Sequence, residues 1–411
     1  MAKGKKKVSD LTSLCADIAQ ATNGEIIDDL ENVNYYIDSG SLALNYSCSG
    51  RFMGGGIPGG RLTEIYGPSS SSKSLIGANL LFATQRAGGV AVLLDVENAV
   101  NKEFMKKASH LNLKQVLRFT PPSLEKCFHK MYLLIEAVRK RDKDVPIVII
   151  YDSLTSSPCE RELREIKLPE NYTEADWKRL VKQHRQPGEH AKACSQELRK
   201  LNTVMEENNA TVVILNQTRD KIGVMYGNPE QSGAGGNSLP FYASLRLRPQ
   251  TQKKIEYTLL GKKKKCVGVN VKYRNVKNRS YRPFVEVEGI QLTFEKGINP
   301  ISGLMLALLD AGRIEIAGKS YKVKEPWAGG QDVKFQTTID ANEVPLEVLL
   351  KCPALVDADS KEQIEDYLEP FMDAVRYLKE DGVTETKVAD DEEGEADMEE
   401  EIEKALEEED K

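Results

Sequence analysis

The run Gly67-Pro68-Ser69-Ser70-Ser71-Ser72-Lys73-Ser74 has the residue types of a loop that binds nucleotide phosphates. Such loops follow the pattern glycine, four residues, glycine, lysine, and serine or threonine. Their backbone N–H groups point at the β-phosphate, the lysine reaches the β- and γ-phosphates, and the hydroxyl is a ligand of Mg²⁺. We therefore assign this run to nucleotide binding, with Lys73 on the phosphates and Ser74 on the metal.

Ser72 departs from this pattern, because it stands where the second glycine is expected. Serine adds a Cβ where space is tight, but it is the smallest polar substitute and its hydroxyl can face a phosphate oxygen. The alternative is a serine-rich turn before an ordinary helix. The context favours the phosphate loop, since a strand-like run precedes it and apolar residues at helical spacing follow as far as Gly88-Gly89, a predicted C-cap.

Three further apolar runs, at 90–97, 145–153 and 210–217, are separated by stretches with helical patterns. Continuous β-branched runs of this length are typical of strands buried on both faces, so they predict an α/β fold with a mostly parallel, twisted sheet covered by helices. Ligands bind such sheets at the carboxyl ends of the strands. The polar residues at those ends are Asp95 and Glu97, Asp152 and Ser153, and Asn216 and Gln217.

Two of these carboxylates suit phosphate chemistry. Asp152 ends a buried strand, where a nucleotide-hydrolysing enzyme places its Mg²⁺-coordinating acid, although such an Asp also caps turns. Glu97 lies just past the neighbouring strand, where a carboxylate can polarise a water for attack on the γ-phosphate; the alternative is a solvated loop glutamate.

Composition limits the class of protein. The chain has 411 residues, 40% hydrophobic and 29% charged, with no apolar run near the roughly 20 residues of a membrane span. We therefore expect a cytoplasmic protein with no membrane partner, and the basic start MAKGKKKVSD does not resemble a secretory signal. Seven dispersed cysteines favour free thiols over a zinc site or a disulfide framework.

The net charge of −6 is unevenly distributed. Residues 390–411 contain fourteen acidic and two basic side chains, a net of −12, which leaves +6 for residues 1–389. Two hypotheses stay open for this acidic end: a disordered solubilising tail, or a polyanion that competes with nucleic acid for a basic surface.

Several motifs together resemble the RecA-type recombinases. They are, in order, "GSLALNYSCSGRFMGGGIPGGRLTEIYGP", "LLDVENAV", "IIYDSLTS", "ILNQTRDKIGVMYGNPEQSGAGGNSLPFYASLRLR", "VKNRSYRPF" and "EKGINPISGLM". The resemblance covers residues of about 40 to 300, and "LNQTRDKIGVMYGNPE" is its most specific part. The loop "GPSSSSKS" resembles the glycine-deficient loop of the UvsX-type recombinases of T-even phages, which points to a bacteriophage branch of the family.

The resemblance implies a RecA-like phosphate-loop ATPase core and a division of the chain. We expect an N-terminal oligomerisation segment at 1–38, the core with its DNA-binding loops at 39–299, a small C-terminal α/β domain at 300–388 and an acidic disordered tail at 389–411. Leu11, Leu14 and Ile18 of the first segment suit packing on an adjacent subunit or on their own core. In the small C-terminal domain, the sequence predicts a helix whose core residues are Leu304, Leu306, Leu308 and Leu309.

The resemblance also implies roles for single residues. Glu97 is the catalytic glutamate, Asp152 the Mg²⁺-linked acid and Gln217 the sensor of the γ-phosphate. Phe104 falls where the family stacks a ring on adenine. Lys277 and Arg279 match the basic pair that enters the neighbouring subunit's ATP site; the alternative is an exposed basic strand.

DNA binding is expected mainly from residues 218–236, a glycine-rich segment. Basic residues there and on a preceding helix would contact phosphates, an apolar and an aromatic side chain would wedge between or stack on bases, and glycines would give mobility. The residues with these roles are Arg219, Lys221, Arg199, Met225, Tyr226, Gly235 and Gly236.

Two other basic segments stay open. The stretch between Pro158 and His190 is longer than the bacterial pattern, and its Trp177, Arg179, Lys182 and Arg185 suit either a basic helix near DNA or a surface insertion. The run "GKKKKC" at 261–266 suits a solvated hairpin tip or a site of duplex capture.

These observations favour an ATP-dependent recombinase, a DNA-dependent ATPase that uses ATP and Mg²⁺. It would form a homo-oligomeric filament on single-stranded DNA, pair it with duplex DNA in recombination and repair after DNA damage, and work with loading and single-strand-binding proteins. The alternatives are a hexameric helicase or motor with the same core, and a non-catalytic mediator that binds single strands. Retention of Lys73, Ser74, Glu97 and Asp152 argues against the mediator.

Overall fold

The computed structural model describes residues 8–22, 33–69, 71–98, 102–166, 188–220, 230–232, 236–258, 264–336, 342–377 and 383–387. The chain divides into two units, residues 1–34 and residues 35–411. The predicted domain boundaries after residues 38, 299 and 388 stay predictions.

The elements follow in chain order. The helices are α1 Val8–Thr22, α2 Leu42–Ser49, α3 Lys73–Arg86, α4 Lys102–Ser109, α5 Leu124–Arg139, α6 Glu160–Ile166, α7 Glu189–Asn208, α8 Ser238–Tyr242, α9 Leu304–Asp310, α10 Leu346–Lys351, α11 Lys361–Leu368 and α12 Met372–Tyr377. The strands are β1 Tyr36–Ile37, β2 Ile57–Pro58, β3 Leu62–Gly67, β4 Val90–Asp95, β5 Val116–Phe119, β6 Ile147–Asp152, β7 Ala210–Asp220, β8 Glu230–Ser232, β9 Leu245–Thr258, β10 Lys264–Asn278, β11 Glu286–Thr293, β12 Gly297–Ile298, β13 Ile314–Ala317, β14 Ser320–Val323, β15 Lys334–Phe335 and β16 Val383–Lys387.

Helix α1 makes up most of the described part of the first unit. Leu14 and Ile18 are four residues apart, so they lie on the same side of the helix. Their side chains are 45% and 52% exposed. This is the apolar face that an oligomerisation segment would present to a neighbour.

A mixed sheet forms the centre of the second unit. Its strand order is β12-β11-β10-β9-β3-β7-β6-β4-β5. Neighbours from β9 through β5 run parallel, whereas β9 to β12 form an antiparallel meander. The three apolar runs predicted as strands are β4, β6 and β7, and the mostly parallel α/β sheet is confirmed.

Alternate residues of the central strands enter two separate apolar clusters. In β6, Val148 and Ile150 join the cluster that contains α2 and α3, while Ile147 and Ile149 join the cluster that contains α5 and α7. Because successive side chains of a strand point to opposite faces, the sheet is covered on both sides. Full burial of both faces explains why these strands read as continuous apolar runs.

Apolar side chains from residues 301–335 and 344–375 belong to the first of these clusters, and this region carries a small sheet, β13-β14-β15. In α9 the buried residues are Leu304, Met305, Ala307 and Leu308. Leu306, which the sequence assigned to the core of this helix, is 37% exposed. The assignment was wrong because the leucines are too closely spaced to share one face of a seven-residue helix.

Strands β9 and β10 form a long antiparallel ribbon on either side of the basic run 261–266. The pair Lys264↔Thr258 lies at the end of this ribbon, where a hairpin tip was predicted; residues 259–263 are outside the described part of the chain. Strand β16 adds to the other side of β9, with Val383 opposite Tyr257 and Lys387 opposite Lys253. The residues just before the acidic tail are therefore part of this ribbon.

His110 lies in an aromatic contact between the core and the C-terminal residues. Its ring centroid is 6.0 Å from that of Phe82 and 5.8 Å from that of Phe371. Its Nε2 atom has no hydrogen-bond partner among the described residues. Burial lowers the pKa of His110, and the nearby carboxylates of Asp373 and Glu369 oppose this only in part.

We expect acidification to weaken the protein through His110. Its folded pKa lies below its unfolded value, so the neutral ring favours folding above about pH 6.5, and this stability is lost as the pH falls and the unfolded chain takes up the proton. Urea denaturation at about pH 7.5 and about pH 5.5 measures the free energy of unfolding, which should fall less on acidification in His110→Asn than in the wild type. Asparagine is chosen because it tolerates the positive φ of 58° at this position. The exposed His129, replaced by Asn, is the control, and an equal loss in both variants would contradict the assignment.

Candidate active site

The carboxyl ends of β3, β7, β6 and β4 lie side by side. Gly67 is opposite Gln217 in the β3–β7 ladder, and Asp152 is opposite Asp95 in the β6–β4 ladder. Strand β6 also pairs with β7, which joins the two halves of the edge. The parallel sheet therefore brings the phosphate loop, Gln217 and Asp152 to one edge.

The phosphate loop connects β3 to α3 and holds the ammonium group of Lys73. Lys73 Nζ donates hydrogen bonds to the carbonyl oxygens of Gly67, at 3.1 Å, and Pro68, and lies 3.3 Å from Ser71 Oγ. The loop also bonds internally, since Ser71 Oγ donates to the Pro68 oxygen at 2.7 Å. Lys73 thus lies at the start of α3 with its charge in the loop, where phosphates would meet it. Ser69 is exposed at the loop's tip, while Ser70 is outside the described residues.

Ser72 adopts a backbone conformation that explains why glycine is the usual residue at this position of the loop. Its φ of 72° and ψ of 6° are left-handed, a region that glycine enters without strain and that costs other residues about 1–2 kcal/mol. The Ser72 hydroxyl lies 2.6 Å from the hydroxyl of Tyr273, a fully buried residue of β10. This hydrogen bond offsets part of the strain and fixes the loop to the sheet.

Ser74 and Asp152, the two predicted ligands of Mg²⁺, are hydrogen-bonded to each other. Ser74 Oγ donates to Asp152 Oδ2 at 3.1 Å. Burial and the neighbouring Glu97 carboxylate raise the pKa of Asp152 to about 6, against the hydrogen bond from Ser74 and the charge of Lys73. A hydroxyl and a carboxylate are oxygen ligands of the kind that Mg²⁺ takes beside substrate phosphates, so the pair fits this ion. Bound Mg²⁺ would favour the ionised carboxylate.

Glu97 is held by two serine hydroxyls from the loop after β6. Ser153 Oγ and Ser156 Oγ donate to the same oxygen, Glu97 Oε1, at 2.5 Å and 2.6 Å. Its side chain is exposed at the sheet edge. The neighbouring strand end is also fixed, because the buried carboxylate of Asp95 accepts two hydrogen bonds from Arg118. Glu97 therefore has a defined direction next to the Ser74–Asp152 pair.

A buried polar chain runs behind these residues. Thr155 Oγ1 donates to the Asn216 side-chain oxygen, and Asn216 Nδ2 donates to Glu64 Oε1 at 3.1 Å. Arg246 Nε lies 2.6 Å from Glu64 Oε2, and Glu64 is fully buried. The chain connects the loop after β6 with β7, β3 and β9, one residue before Gln217.

Lys277 and Arg279 lie at the end of β10 and bind the end of α8. Lys277 Nζ donates to the carbonyl oxygens of Pro240, at 2.7 Å, and Phe241, at 2.8 Å; Arg279 reaches the Phe241 oxygen at 3.1 Å. Burial and the charges of Arg279 and Arg246 lower the pKa of Lys277 to about 8. The pair is thus a local concentration of positive charge, which a facing phosphate would relieve.

Most of the residues predicted to contact adenine and DNA, or their side chains, lie outside the described part of the chain. Phe104 is in α4 and Arg219 is in β7 opposite Gln231, but the side chains of both are outside the description. Arg199 is exposed on α7, and Gly236 has a φ of 54° just before α8. Lys221, Met225, Tyr226, Gly235, Trp177, Arg179, Lys182 and Arg185 lie outside the described residues.

Three contacts of the site were not predicted from the sequence. The hydrogen bond from Ser156 to Glu97 follows from no recognisable residue spacing. Tyr273, which contacts Ser72, lies 201 residues away in the chain, and the Glu64–Arg246 ion pair joins two strands that are also far apart in sequence. A charged residue inside the apolar run of β3 was the one available signal, since a buried carboxylate requires a partner.

The fold is of the α/β class, with a loop of the phosphate-binding type at the carboxyl edge of its parallel sheet. The family model of the RecA N-terminal domain matches residues 23–299. Protein RecA of Thermus aquaticus is 33% identical over 290 residues, which cover 70% of this chain and 76% of that protein. Protein RecA of Deinococcus radiodurans is 34% identical over 323 residues, 78% of this chain and 80% of that protein. Protein RecA of Chloroherpeton thalassium is 31% identical over 307 residues, 75% and 77% of the two chains.

The chain therefore belongs to the RecA family and is a RecA-type recombinase of DNA recombination and repair. Members of this family are DNA-dependent ATPases that use ATP with Mg²⁺ and form filaments on DNA. Within the part of the chain that the structure describes, no helix is long and apolar enough to span a membrane. The resemblance to the UvsX type stays a prediction.

The Ser72–Tyr273 contact predicts an effect that depends on background. In Tyr273→Phe protein, Ser72→Gly should raise the free energy of unfolding by about 1–2 kcal/mol, because it removes the left-handed strain. In the wild-type background the gain should vanish or reverse, since a buried tyrosine hydroxyl without its partner costs about 1–3 kcal/mol. Urea denaturation of the four proteins measures this coupling. Ser69→Gly in the same loop is the control, and an equal effect of Ser72→Gly in both backgrounds would count against the contact.

Proposed function

We propose that this chain binds and hydrolyses Mg²⁺-ATP at the edge formed by β3, β7, β6 and β4, and that hydrolysis is stimulated by single-stranded DNA. The observation that carries the proposal is the placement of two carboxylates in different environments. Asp152 bonds the hydroxyl of Ser74 beside the phosphate loop, and Glu97 is oriented by Ser153 and Ser156. One carboxylate suits a metal and the other suits a water.

The residues divide the work of phosphoryl transfer. Lys73 moves from the loop carbonyls onto the β- and γ-phosphates and neutralises their charge. Ser74 and Asp152 would hold Mg²⁺, which would stabilise the negative charge of the phosphates during transfer. Glu97 orients the attacking water and accepts its proton as the oxygen bonds to the γ-phosphorus and the bond to ADP breaks.

Gln217 is the proposed connection from the γ-phosphate to DNA. It lies near the end of β7, the strand that leads directly into residues 221–229 and pairs with β8 beyond them. A contact between Gln217 and the γ-phosphate would therefore act on both ends of the glycine-rich segment that is expected to bind DNA. The adjacent Asn216 is fixed by Glu64 and Thr155, so the backbone at Gln217 has a rigid base.

Lys277 and Arg279 are proposed to complete the site of a neighbouring protomer. Their charges lie at the end of β10, on the carbonyls that end α8 and follow the DNA-binding segment. Binding a neighbour's γ-phosphate would draw on the same side chains that hold these carbonyls. ATP between protomers would then stabilise a filament and report to the DNA-binding segment of the next subunit.

The test of catalysis is Glu97→Gln. The amide keeps the size of the side chain and can still hydrogen-bond to the serines, but it cannot accept the proton, so turnover should fall by roughly two to four decades while ATP still binds. DNA-stimulated phosphate release and nucleotide binding are measured together, with electron microscopy of filaments on single-stranded DNA. The exposed Glu347, replaced by Gln, is the control. Unchanged turnover would remove Glu97 from its role, and rings in place of filaments would favour the helicase alternative.

The test of the shared site is the double variant Lys277→Ala with Arg279→Ala. We expect a folded protomer that binds ATP weakly and neither assembles in an ATP-dependent way nor responds to DNA. Mixing it with Lys73→Ala protein should restore part of the ATPase activity, because some interfaces then combine an intact loop with an intact basic pair. Lys264→Ala with Arg274→Ala removes the same charge from β10 and is the control. A flat response across all mixing ratios would contradict sites shared between subunits.

A further inference from the structure

Arg118 holds the chain on both sides of Glu97. It lies in β5, and its Nε and Nη2 atoms donate to Asp95 Oδ2 at 2.9 Å and 2.6 Å. Nη2 also donates to the side-chain oxygen of Asn98 at 3.0 Å. Asp95 is the last residue of β4 and Asn98 follows shortly after it, so one guanidinium spans the turn that carries Glu97.

The contact with Asp95 fixes the guanidinium, because this acidic partner is buried. The Asp95 side chain is 2% exposed, whereas that of Arg118 is 43% exposed. A buried carboxylate that loses its cation is left uncompensated, so the ion pair keeps Arg118 at the end of β4. The planar guanidinium makes all these contacts from one rigid fork, which also sets the place of the Asn98 side chain.

Asn98 has a backbone conformation that such a contact stabilises. Its φ of 54° is left-handed, a region that asparagine enters more readily than most residues other than glycine. The residue is exposed, so apolar packing contributes little to holding it there. The hydrogen bond from Arg118 therefore stabilises this conformation, and with it the course of the chain just after β4.

Glu97 is also held by the loop after β6. Ser153 and Ser156 both donate to one carboxylate oxygen, Glu97 Oε1. Two bonds to the same oxygen fix the direction of the carboxylate only if the backbone that carries it is fixed as well. The backbone N–H of Val96 is bonded to the end of β6, and Arg118 holds the residues on either side of the turn.

We propose that Arg118 is a positioning residue for ATP hydrolysis, which fixes the direction of the Glu97 carboxylate toward the attacking water. It acts through its bonds to Asp95 and Asn98, and the inference rests on the role proposed for Glu97. Because nucleotide binding is assigned to Lys73 and the phosphate loop, the loss of Arg118 should slow the chemical step and leave ATP binding nearly unchanged. A small misplacement of a reacting group is enough for a large loss of rate.

The first test is Arg118→Lys. Lysine keeps a positive charge for the buried Asp95, so the variant should fold, but it lacks the planar fork that also holds Asn98. We expect kcat of the DNA-stimulated ATPase to fall by about ten- to thirtyfold, while KM for ATP changes by less than about twofold. Arg141→Lys, on an exposed arginine, is the control and should match the wild type. A raised KM with an unchanged kcat, or wild-type values of both, would overturn the proposal.

Asn98→Gly tests the same contact and leaves the buried ion pair intact. Glycine adopts the left-handed backbone without strain but offers no side-chain acceptor to Arg118. The kcat should fall by about fivefold or more, again with little change in KM. Wild-type turnover by this variant would show that the bridge from Arg118 to Asn98 does not position Glu97.

A double-mutant cycle with Glu97→Gln separates positioning from a general loss of structure. In that background we expect Arg118→Lys to change the single-turnover rate by less than about twofold, because the carboxylate that it positions is already absent. An equal loss of rate in both backgrounds would contradict the inference. Full turnover by Glu97→Gln would refute the proposed function and this inference with it. Slow turnover by Glu97→Gln, together with full turnover by Arg118→Lys, would refute this inference alone.

Discussion

The register of the parallel strands is the constraint on which the rest of the structure depends. Strands β3, β7, β6 and β4 are buried on both faces, so apolar packing on two sides fixes how they align. That alignment places Gly67 beside Gln217 and Asp95 beside Asp152. A slip of one residue would turn Asp152 to the other face of the sheet, away from Ser74. The hydrophobic core therefore positions the polar edge, and the hydrogen bonds among the polar residues need to contribute little to the alignment of the strands.

That edge brings charges of the same sign close together. The Glu97 carboxylate and burial both raise the pKa of Asp152, to about 6, and Lys73 is turned onto loop carbonyls. At the end of β10, burial and the charges of Arg279 and Arg246 lower the pKa of Lys277 to about 8. Acidic and basic groups are thus each crowded with their own kind, and Mg²⁺ and phosphate are the charges that would relieve them. This arrangement of charges would favour the binding of Mg²⁺ and phosphate by the folded protein.

The sequence predicted what depends on local pattern. The buried strands, the phosphate loop with Lys73 and Ser74, and the convergence of Asp152 and Gln217 all follow from apolar runs and the polar residues that end them. It could not predict Tyr273 on Ser72 or Ser156 on Glu97, because these contacts depend on tertiary packing and on rotamers. Leu306 failed for a related reason, since apolar residues cover more than one face of α9 and only the neighbours decide which face is inside.

The contact between Ser72 and Tyr273 also bears on how such a loop arises. Changing Ser72 to glycine first would strand a buried hydroxyl, whereas changing Tyr273 to phenylalanine first costs one hydrogen bond and removes the reason to keep the serine. The two substitutions therefore have a preferred order, and a lineage with tyrosine on β10 is held to its serine by history as much as by catalysis. The glycine-deficient loop is then a locally trapped solution, reached and left through a residue of β10 that lies outside the loop.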